Sequence, residues 1–342
     1  DHAATSPLRP EVLAAYTQAL QLVGNPSSIH SAGQGARAML EDARERLAKV
    51  VGCDRNEVIF TSGGTEANNL AVKGLFAKRE GNLIITSAAE HHAVLDVVEH
   101  LEAQGAEVHW LSLNSEGQID LDELKTVLET RGSEVALIAL MWVNNETGVI
   151  TPTGEVTALA AKHGVPVHSD AVASFGHMPT NFAESGLSTM AITAHKLGGP
   201  VGTGALIVSR ATNLEPLFHG GGQERAIRAG TMDAAGALAF AVAAETPQPD
   251  YSSLEALAVG DDDTLDAAYG TAQTSTDTFI TANDLHVGPE SAAITAAGTP
   301  AAGDILLLRV KRVPADAADT LAADAKLLGI CVTWTQTIGS DA

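Results

Sequence analysis

Between residues 55 and 210, short apolar runs alternate with stretches of helical periodicity, and this alternation limits the fold more than any other feature of the chain. Val58-Ile59-Phe60-Thr61 precedes a helical stretch over 66–78. Leu83-Ile84-Ile85 precedes one over 93–104, whose Val94, Val97, Val98 and Leu101 share one face. Residues 107–111 precede a helix over 121–131, and the apolar run 135–143 precedes one from about 154 to 163. Further strands are expected at 165–169, 189–193 and 204–208. Strand and helix alternating at this spacing predict an α/β fold with a mainly parallel sheet, and such sheets bind ligands outside the carboxyl ends of their strands.

After about residue 245 the pattern changes. Thr246-Pro247-Gln248-Pro249 reads as a boundary. Residues 246–303 are rich in Ala, Thr, Asp and Gly with few large apolar side chains, and are expected to be loosely packed or partly disordered. A strand at 305–310 and an amphipathic helix at 315–328 are expected beyond them. The expected division is a large domain over 16–245 and a smaller one built from 1–15 and 246–342.

Charge and cysteine content exclude several classes. Forty-two acidic against 20 basic residues leave a net charge of −22, which argues against nucleic acid or an anionic membrane as partner. A phosphate-bearing ligand would need backbone amides and a few fixed cations to hold it. The run 135–143 is too short to span a bilayer, and no basic-then-apolar leader opens the chain. Cys53 and Cys331 cannot make a disulfide framework and have no metal-ligand spacing. A reducing cytoplasm and no metal are the expectation.

The sharpest chemical signal is Lys196, in Thr193-Ala194-His195-Lys196-Leu197-Gly198-Gly199. An amine at a strand end can reach a cofactor aldehyde, and the glycines let backbone approach it. Asp170 ends the preceding expected strand. Lysine and acid at two strand ends are the pair that pyridoxal 5'-phosphate (PLP) needs: the lysine makes the Schiff base, and the carboxylate keeps the pyridine nitrogen protonated so that the ring is an electron sink. Taken alone, strand-end Asp and Lys are usually just solvated.

The other motifs are modest one by one. Thr61-Ser62-Gly63-Gly64-Thr65-Glu66 follows a strand and opens a helix, so its free amides and Thr65 hydroxyl can take an anion; an ordinary turn with Thr65 as N-cap is the simpler reading. Its spacing is neither a dinucleotide nor a nucleoside-triphosphate fingerprint. In Glu90-His91-His92 a flat imidazole can stack on a cofactor ring and pass protons. Adjacent histidines seldom converge on one metal ion, and no third ligand is suitably spaced. Asn144-Asn145-Glu146 ends the 135–143 run; such amides are turn formers first, and ligands for a cofactor oxygen or substrate carboxylate second. In the glycine-rich segment 219–231, Arg228 and Thr231 could meet a phosphate, or the segment could be a plain surface loop.

Order and spacing carry more than any single motif. Asp1-His2-Ala3-Ala4-Thr5, Gly24-Asn25-Pro26-Ser27-Ser28-Ile29-His30, residues 61–69, Glu90-His91-His92-Ala93-Val94, Asn144-Asn145-Glu146, His168-Ser169-Asp170-Ala171, Ala194-His195-Lys196 and residues 219–231 together resemble the cysteine desulfurases, class V aminotransferases of PLP fold type I. The resemblance runs from residue 1 to about 240. It implies a large domain with a mainly parallel sheet plus a smaller α+β domain. It implies Lys196 as the Schiff-base lysine, Asp170 as partner of the pyridinium nitrogen, and His91 as the stacking ring and proton shuttle. Thr65, Thr193 and His195 would hold the phosphate with the Gly64 backbone, and Asn145 would contact cofactor or substrate. Thr231 would reach the phosphate held by a neighbouring subunit, which implies a homodimer. The implied reaction takes L-cysteine to L-alanine, with sulfur passing to a mobile-loop cysteine as a persulfide and on to an iron–sulfur scaffold or other acceptor protein. One alternative is another class V enzyme, selenocysteine-lyase-like or epimerase-like; the other is a silent PLP-binding homologue that acts as a binding partner.

The chain departs from that family in three places. Ala173 stands where the family has a glutamine bonded to the cofactor's phenolic oxygen. Gly329-Ile330-Cys331-Val332-Thr333 resembles the strand before the catalytic loop, but Ile338 stands at the nucleophile's place and Cys331 lies too early. The carboxylate-binding arginine would fall beyond residue 342, and Arg309 and Arg312 are poor substitutes. Either the polypeptide is incomplete, which is the expectation, or persulfide chemistry is lost. The chain as written is expected to bind PLP and to turn over L-cysteine poorly.

Overall fold

The computed structural model describes residues 4–245 and, beyond them, the backbone of three strands at 253–259, 273–274 and 305–311. The chain divides into two compact units, Asp1–Pro247 and Gln248–Ala342.

In the first unit, α1 (Pro10–Ala19) starts on a proline whose missing N–H is harmless at the first helical position. The long α2 (Ser31–Val51) is stopped by Gly52 in the left-handed conformation, φ 74°. Then β1 (Val58–Thr61) leads into α3 (Gly64–Phe76), β2 (Leu83–Ser87) into α4 (His92–Ala103), β3 (Glu107–Leu111) into α5 (Leu121–Arg131), and β4 (Val135–Ala139) into α6 (Thr153–Ala161). After β5 (Val167–Asp170) come the short α7 (Phe182–Ser185), β6 (Thr189–Thr193), β7 (Gly204–Val208) and α8 (Ala234–Glu245).

The seven strands form one sheet in the order β1-β7-β6-β5-β4-β2-β3. Only β7 runs against its neighbours, β1 and β6; the remaining pairs are parallel. Six of the strands are buried at every residue, and edge strand β3 is not. That is why these strands read as continuous apolar runs rather than as alternation: both faces are covered. Phe60, Ile85 and Ile192 pack into one apolar cluster, and their neighbours Ile59, Ile84 and Ala191 into the other.

Helices α1, α2 and α8 were not expected from the apolar pattern; α1 and α2 pack on the alanine-rich α8. The run 135–143 is strand only to Ala139. Beyond it Leu140 and Trp142 N–H still donate to β5, at the carbonyls of His168 and Asp170, but on the other side Met141 N–H turns to the Glu90 carboxyl.

In the second unit β8 (Ser253–Val259), β9 (Gln273–Thr274) and β10 (Ile305–Lys311) form an antiparallel sheet in the order β10-β8-β9. The strand expected at 305–310 is β10; β8 and β9 lie in the stretch whose periodicity is weak. The helix expected at 315–328, Arg312, Cys331 and Ile338 lie outside the described residues, as does the side chain of Arg309. Among the described residues no helix is long and apolar enough to cross a membrane.

Candidate active site

The carboxyl ends of β6, β5, β4 and β2 are adjacent, and the turns that follow them open on one cavity of about 540 Å³, a size that takes a small cofactor. Lys196 comes from the turn after β6, Asp170 from the end of β5, Asn145 from the turn after β4, and His91 from the turn after β2. Strand β1 brings Gly64 and Thr65 at the start of α3, and Asn68, Glu146, Thr193 and His195 add to the wall. Thr231 is exposed and does not line this cavity.

The polar groups have uneven environments. Burial pushes the Asp170 carboxyl above the usual carboxylate range. Opposing this, Val172 N–H donates to Oδ1 at 2.9 Å and the Asn68 amide donates to Oδ2 at 2.6 Å, with further relief from His91 and Lys196. Burial also lowers the Lys196 ammonium, against the pull of Asp170 and Glu146. A lysine held closer to its neutral form is the better nucleophile toward a carbonyl carbon. His91 is the N-cap of α4: its Nδ1 accepts from Ala93 N–H at 3.0 Å, which leaves Nε2 to carry the proton.

Local sequence explains the shape of the walls. Gly63 has φ 152°, open to glycine alone among the residues, and a Cβ on Gly64 would come within 2.6 Å of Val172 Cγ2. The start of α3, at Gly64 and Thr65, therefore lies against the cavity at close quarters. The N-cap is Gly63 rather than Thr65. Asn144 and Asn145 separate by role: Asn144 Oδ1 accepts from Glu146 N–H, Thr147 N–H and the Thr147 hydroxyl while its amide donates to Ala89 O, so it knits the turn. Asn145 faces the cavity. Ala173 presents a methyl group there.

An N-terminal arm straps the lysine turn. Ser6 N–H donates to His195 O at 2.8 Å, the Ser6 hydroxyl to Lys196 O at 3.0 Å, and Arg9 N–H to Gly198 O at 3.0 Å. The Arg9 guanidinium bonds the carbonyls of Leu197 and Ala243. No motif in the sequence assigns a role to this arm or to two buried polar residues, Asn68 and Glu90. Asn68 had a signal: an amide inside the otherwise apolar stripe Ala67, Leu70, Ala71 of α3 must have a buried partner.

Arg228 is paired with Glu66 at 2.8 Å and does not line the cavity, so within one chain it is not a ligand there. Glu66 also accepts from Ser62 N–H at 2.7 Å, which joins the 219–231 segment to the start of α3. Cys53, the free cysteine among the described residues, is half-buried against the core and away from the cavity. Burial beside Glu57 and Asp54 pushes its thiol up to about 12. Among the described residues no group of three or more His, Cys, Asp and Glu side chains could hold a metal ion.

Residues 1–255 match the family described as aminotransferase class-V. The chain is 46% identical over 251 residues to an IscS-like cysteine desulfurase of Mycobacterium tuberculosis, covering 72% of this chain and 64% of that protein. It is 46% identical over 248 residues to the cysteine desulfurase IscS of Dictyoglomus turgidum, covering 72% and 62%. It thus spans less than two thirds of the length of either relative. Among solved structures, SspA in complex with cysteine has a TM-score of 0.69 at 34% identity, over 73% of this chain and 72% of that one. DndA from Streptomyces lividans has a TM-score of 0.64 at 38% identity, over 72% and 70%.

Proposed function

Because the chain belongs to the class-V aminotransferase family, we propose that its cavity holds PLP and that the whole protein is a cysteine desulfurase. It would take L-cysteine to L-alanine and pass the sulfur on as a persulfide. The observation that carries this reading is the meeting of Lys196 and Asp170 in one cavity with His91, from three different strand ends.

The donor set fits the cofactor. The α3 amides with Thr65, Thr193 and His195 suit a phosphate, the Lys196 amine suits an aldehyde, and the buried Asp170 carboxylate suits a protonated ring nitrogen. To donate there, the Thr193 hydroxyl would turn from Thr203 O, 3.2 Å away. Bound there, PLP supplies an electron sink for the substrate's α-carbon. Lys196, lowered by burial, moves the proton at Nζ. His91, held by its capping bond, offers Nε2 as a second proton site and its flat face for stacking. Asn145 contacts cofactor or substrate from the β4 side.

The sulfur nucleophile is a separate matter. Cys53 does not fit, since its thiol is held protonated by burial and is remote from the cavity. Cysteine in the solved SspA structure supports L-cysteine as substrate here. A homodimer, in which Thr231 meets the phosphate of the neighbouring subunit, a sulfur-acceptor or iron–sulfur scaffold protein, and a cytoplasmic location complete the proposal.

The test is uptake of PLP by the purified chain, borohydride fixation and peptide mapping, followed by alanine release from L-cysteine. The label is expected on Lys196, and a label elsewhere overturns the cofactor reading. Thr231→Ala is expected to weaken PLP retention without unfolding the subunit. Alanine release that is slow in this chain and rapid when a cysteine-bearing loop is restored supports the desulfurase; release from cysteine sulfinate or selenocysteine alone favours the other class V chemistry.

A further inference from the structure

From Asn68, which itself lines the cavity beside Asp170, runs a line of buried polar groups that the chemistry above does not use. The Asn68 amide donates to Asp170 Oδ2 at 2.6 Å, Asn68 Oδ1 lies 2.9 Å from His168 Nε2, and His168 Nδ1 lies 2.9 Å from Thr189 Oγ1. All four side chains are buried, His168, Asn68 and Thr189 completely. The line crosses three elements, from β5 to α3, back to β5 and on to β6.

Each link fixes the next. An ionised Asp170 only accepts, so Asn68 must turn its NH2 toward it and its carbonyl oxygen toward His168. That oxygen needs a donor, so His168 carries its proton on Nε2 and accepts the Thr189 hydroxyl at Nδ1. Burial lowers the His168 imidazole to about 3, against a bond to the Thr189 backbone that favours the charged ring, so the ring stays neutral. The Asn68 contact then sets the place of its one proton at Nε2. Were the ring unable to donate, the Asn68 amide would be free to flip and would offer Asp170 an oxygen instead of a proton.

We propose that His168 is a positioning residue, which acts through Asn68 to hold the Asp170 carboxylate ionised and fixed for the ring nitrogen of the bound cofactor. This rests on the PLP reading of the cavity. Lys196 and His91 face Asp170 and favour its charge, while Glu90, in the turn between β2 and α4, works against it when ionised. Burial favours the neutral acid, which cannot keep a ring nitrogen protonated. The short charge-assisted bond from Asn68 offsets that tendency, and His168 keeps the bond in place.

The full chain is compared with His168→Phe, His168→Gln, Asn68→Ala and the double variant His168→Phe/Asn68→Ala, each checked for folding by circular dichroism. Asp170 is titrated by carboxyl-carbon NMR in the cofactor-free protein, and PLP affinity and the pH midpoint of its visible band are measured in the loaded one. His168→Phe and Asn68→Ala are each expected to raise the Asp170 midpoint by about one pH unit, the worth of one hydrogen bond to a charge, and to weaken PLP about tenfold. His168→Gln, whose amide N–H can still reach Asn68, is expected to recover most of both, and the double variant to match Asn68→Ala alone. A folded His168→Phe with unchanged Asp170 titration overturns the proposal, as do additive effects in the double variant or a His168→Gln no better than His168→Phe. If His168→Phe does not fold, His168→Met takes its place under the same criteria. Failure of the PLP reading shows itself separately, as wild-type chain that takes up no PLP while the Asp170 titration still responds to His168.

Discussion

Arg44 and Glu224, 180 residues apart in the chain, meet as a buried fork, with Nη2 to Oε1 at 2.6 Å and Nη1 to Oε2 at 2.8 Å. The same guanidinium donates to Val58 O at 2.7 Å and lies 4.9 Å over the Phe60 ring, while Glu224 Oε2 also accepts from Phe60 N–H at 2.8 Å. Helix α2, strand β1 and the 219–231 segment are tied at this point. The tie holds a backbone that needs holding: Glu224, Arg225 and Ala226 have φ of 43°, 59° and 59°, the left-handed region that side chains disfavour.

Glu224→Ala leaves that buried guanidinium only Val58 O and a longer contact to Glu41, so it should cost about 3–5 kcal/mol, more than the usual single substitution. Urea unfolding measures this. A loss under about 1 kcal/mol would mean that the fork is no better than an exposed pair.

Glu90 should make stability fall with rising pH. Burial pushes its carboxyl up to about 8, with the charge of Asp170 adding to the rise and the Met141 N–H opposing it. In the unfolded chain it ionises near 4.5. Between those values the folded state holds the extra proton, so stability is lost as pH rises, by about 1.4 kcal/mol per unit. Glu90→Gln cannot ionise and should match wild type near pH 4.5 but melt higher at pH 8. The same difference in Tm at both pH values would sink the idea.

Glu146→Gln should make Lys196 titrate at lower pH. The carboxylate favours the ammonium, and burial alone drives it the other way. Capture of PLP requires the neutral amine. Borohydride-trapped capture measured against pH should therefore shift its midpoint down, and a midpoint that stays put or rises would contradict the electrostatic reading.

Arg9→Ala removes the guanidinium that bonds two carbonyls, one of them in the lysine turn. A loss of about 1–3 kcal/mol in stability is expected, together with faster PLP loss on dialysis. Lower stability with PLP retention unchanged would make the strap a matter of folding only.

Cys53 should resist alkylation by iodoacetamide at pH 8, because its thiol is pushed up to about 12 and little thiolate forms. Rapid labelling of Cys53 in the folded protein would show that the region opens.

Much of the site was legible because strand ends are legible. Lys196, Asp170, Asn145 and His91 each follow an apolar run, and a parallel sheet gathers such ends on one edge whatever the side chains are. Helix α8 was less legible: it is alanine-rich on every side, and its orientation is decided by what it packs against rather than by an apolar period, whereas α2 does carry a stripe, Ala36, Leu40, Ala43, Leu47 and Val51, amid mixed charge. Asn144 and Asn145 show the limit at single residues. The sequence offers two equal amides, and only the direction of the turn makes one a brace and leaves the other facing the cavity.

By itself the sequence determined the alternation of strand and helix, the edge of the sheet where chemistry collects, and the lysine and acid that meet there, because these follow from local periodicity and residue type. The tertiary structure alone decided which polar groups stand behind them. The Asn68–His168 contact, the Arg44–Glu224 fork and the Ser6 and Arg9 strap join residues about 100 to 230 positions apart, a separation at which no local pattern signals contact. They exist because a buried polar group must find its partner wherever folding brings one.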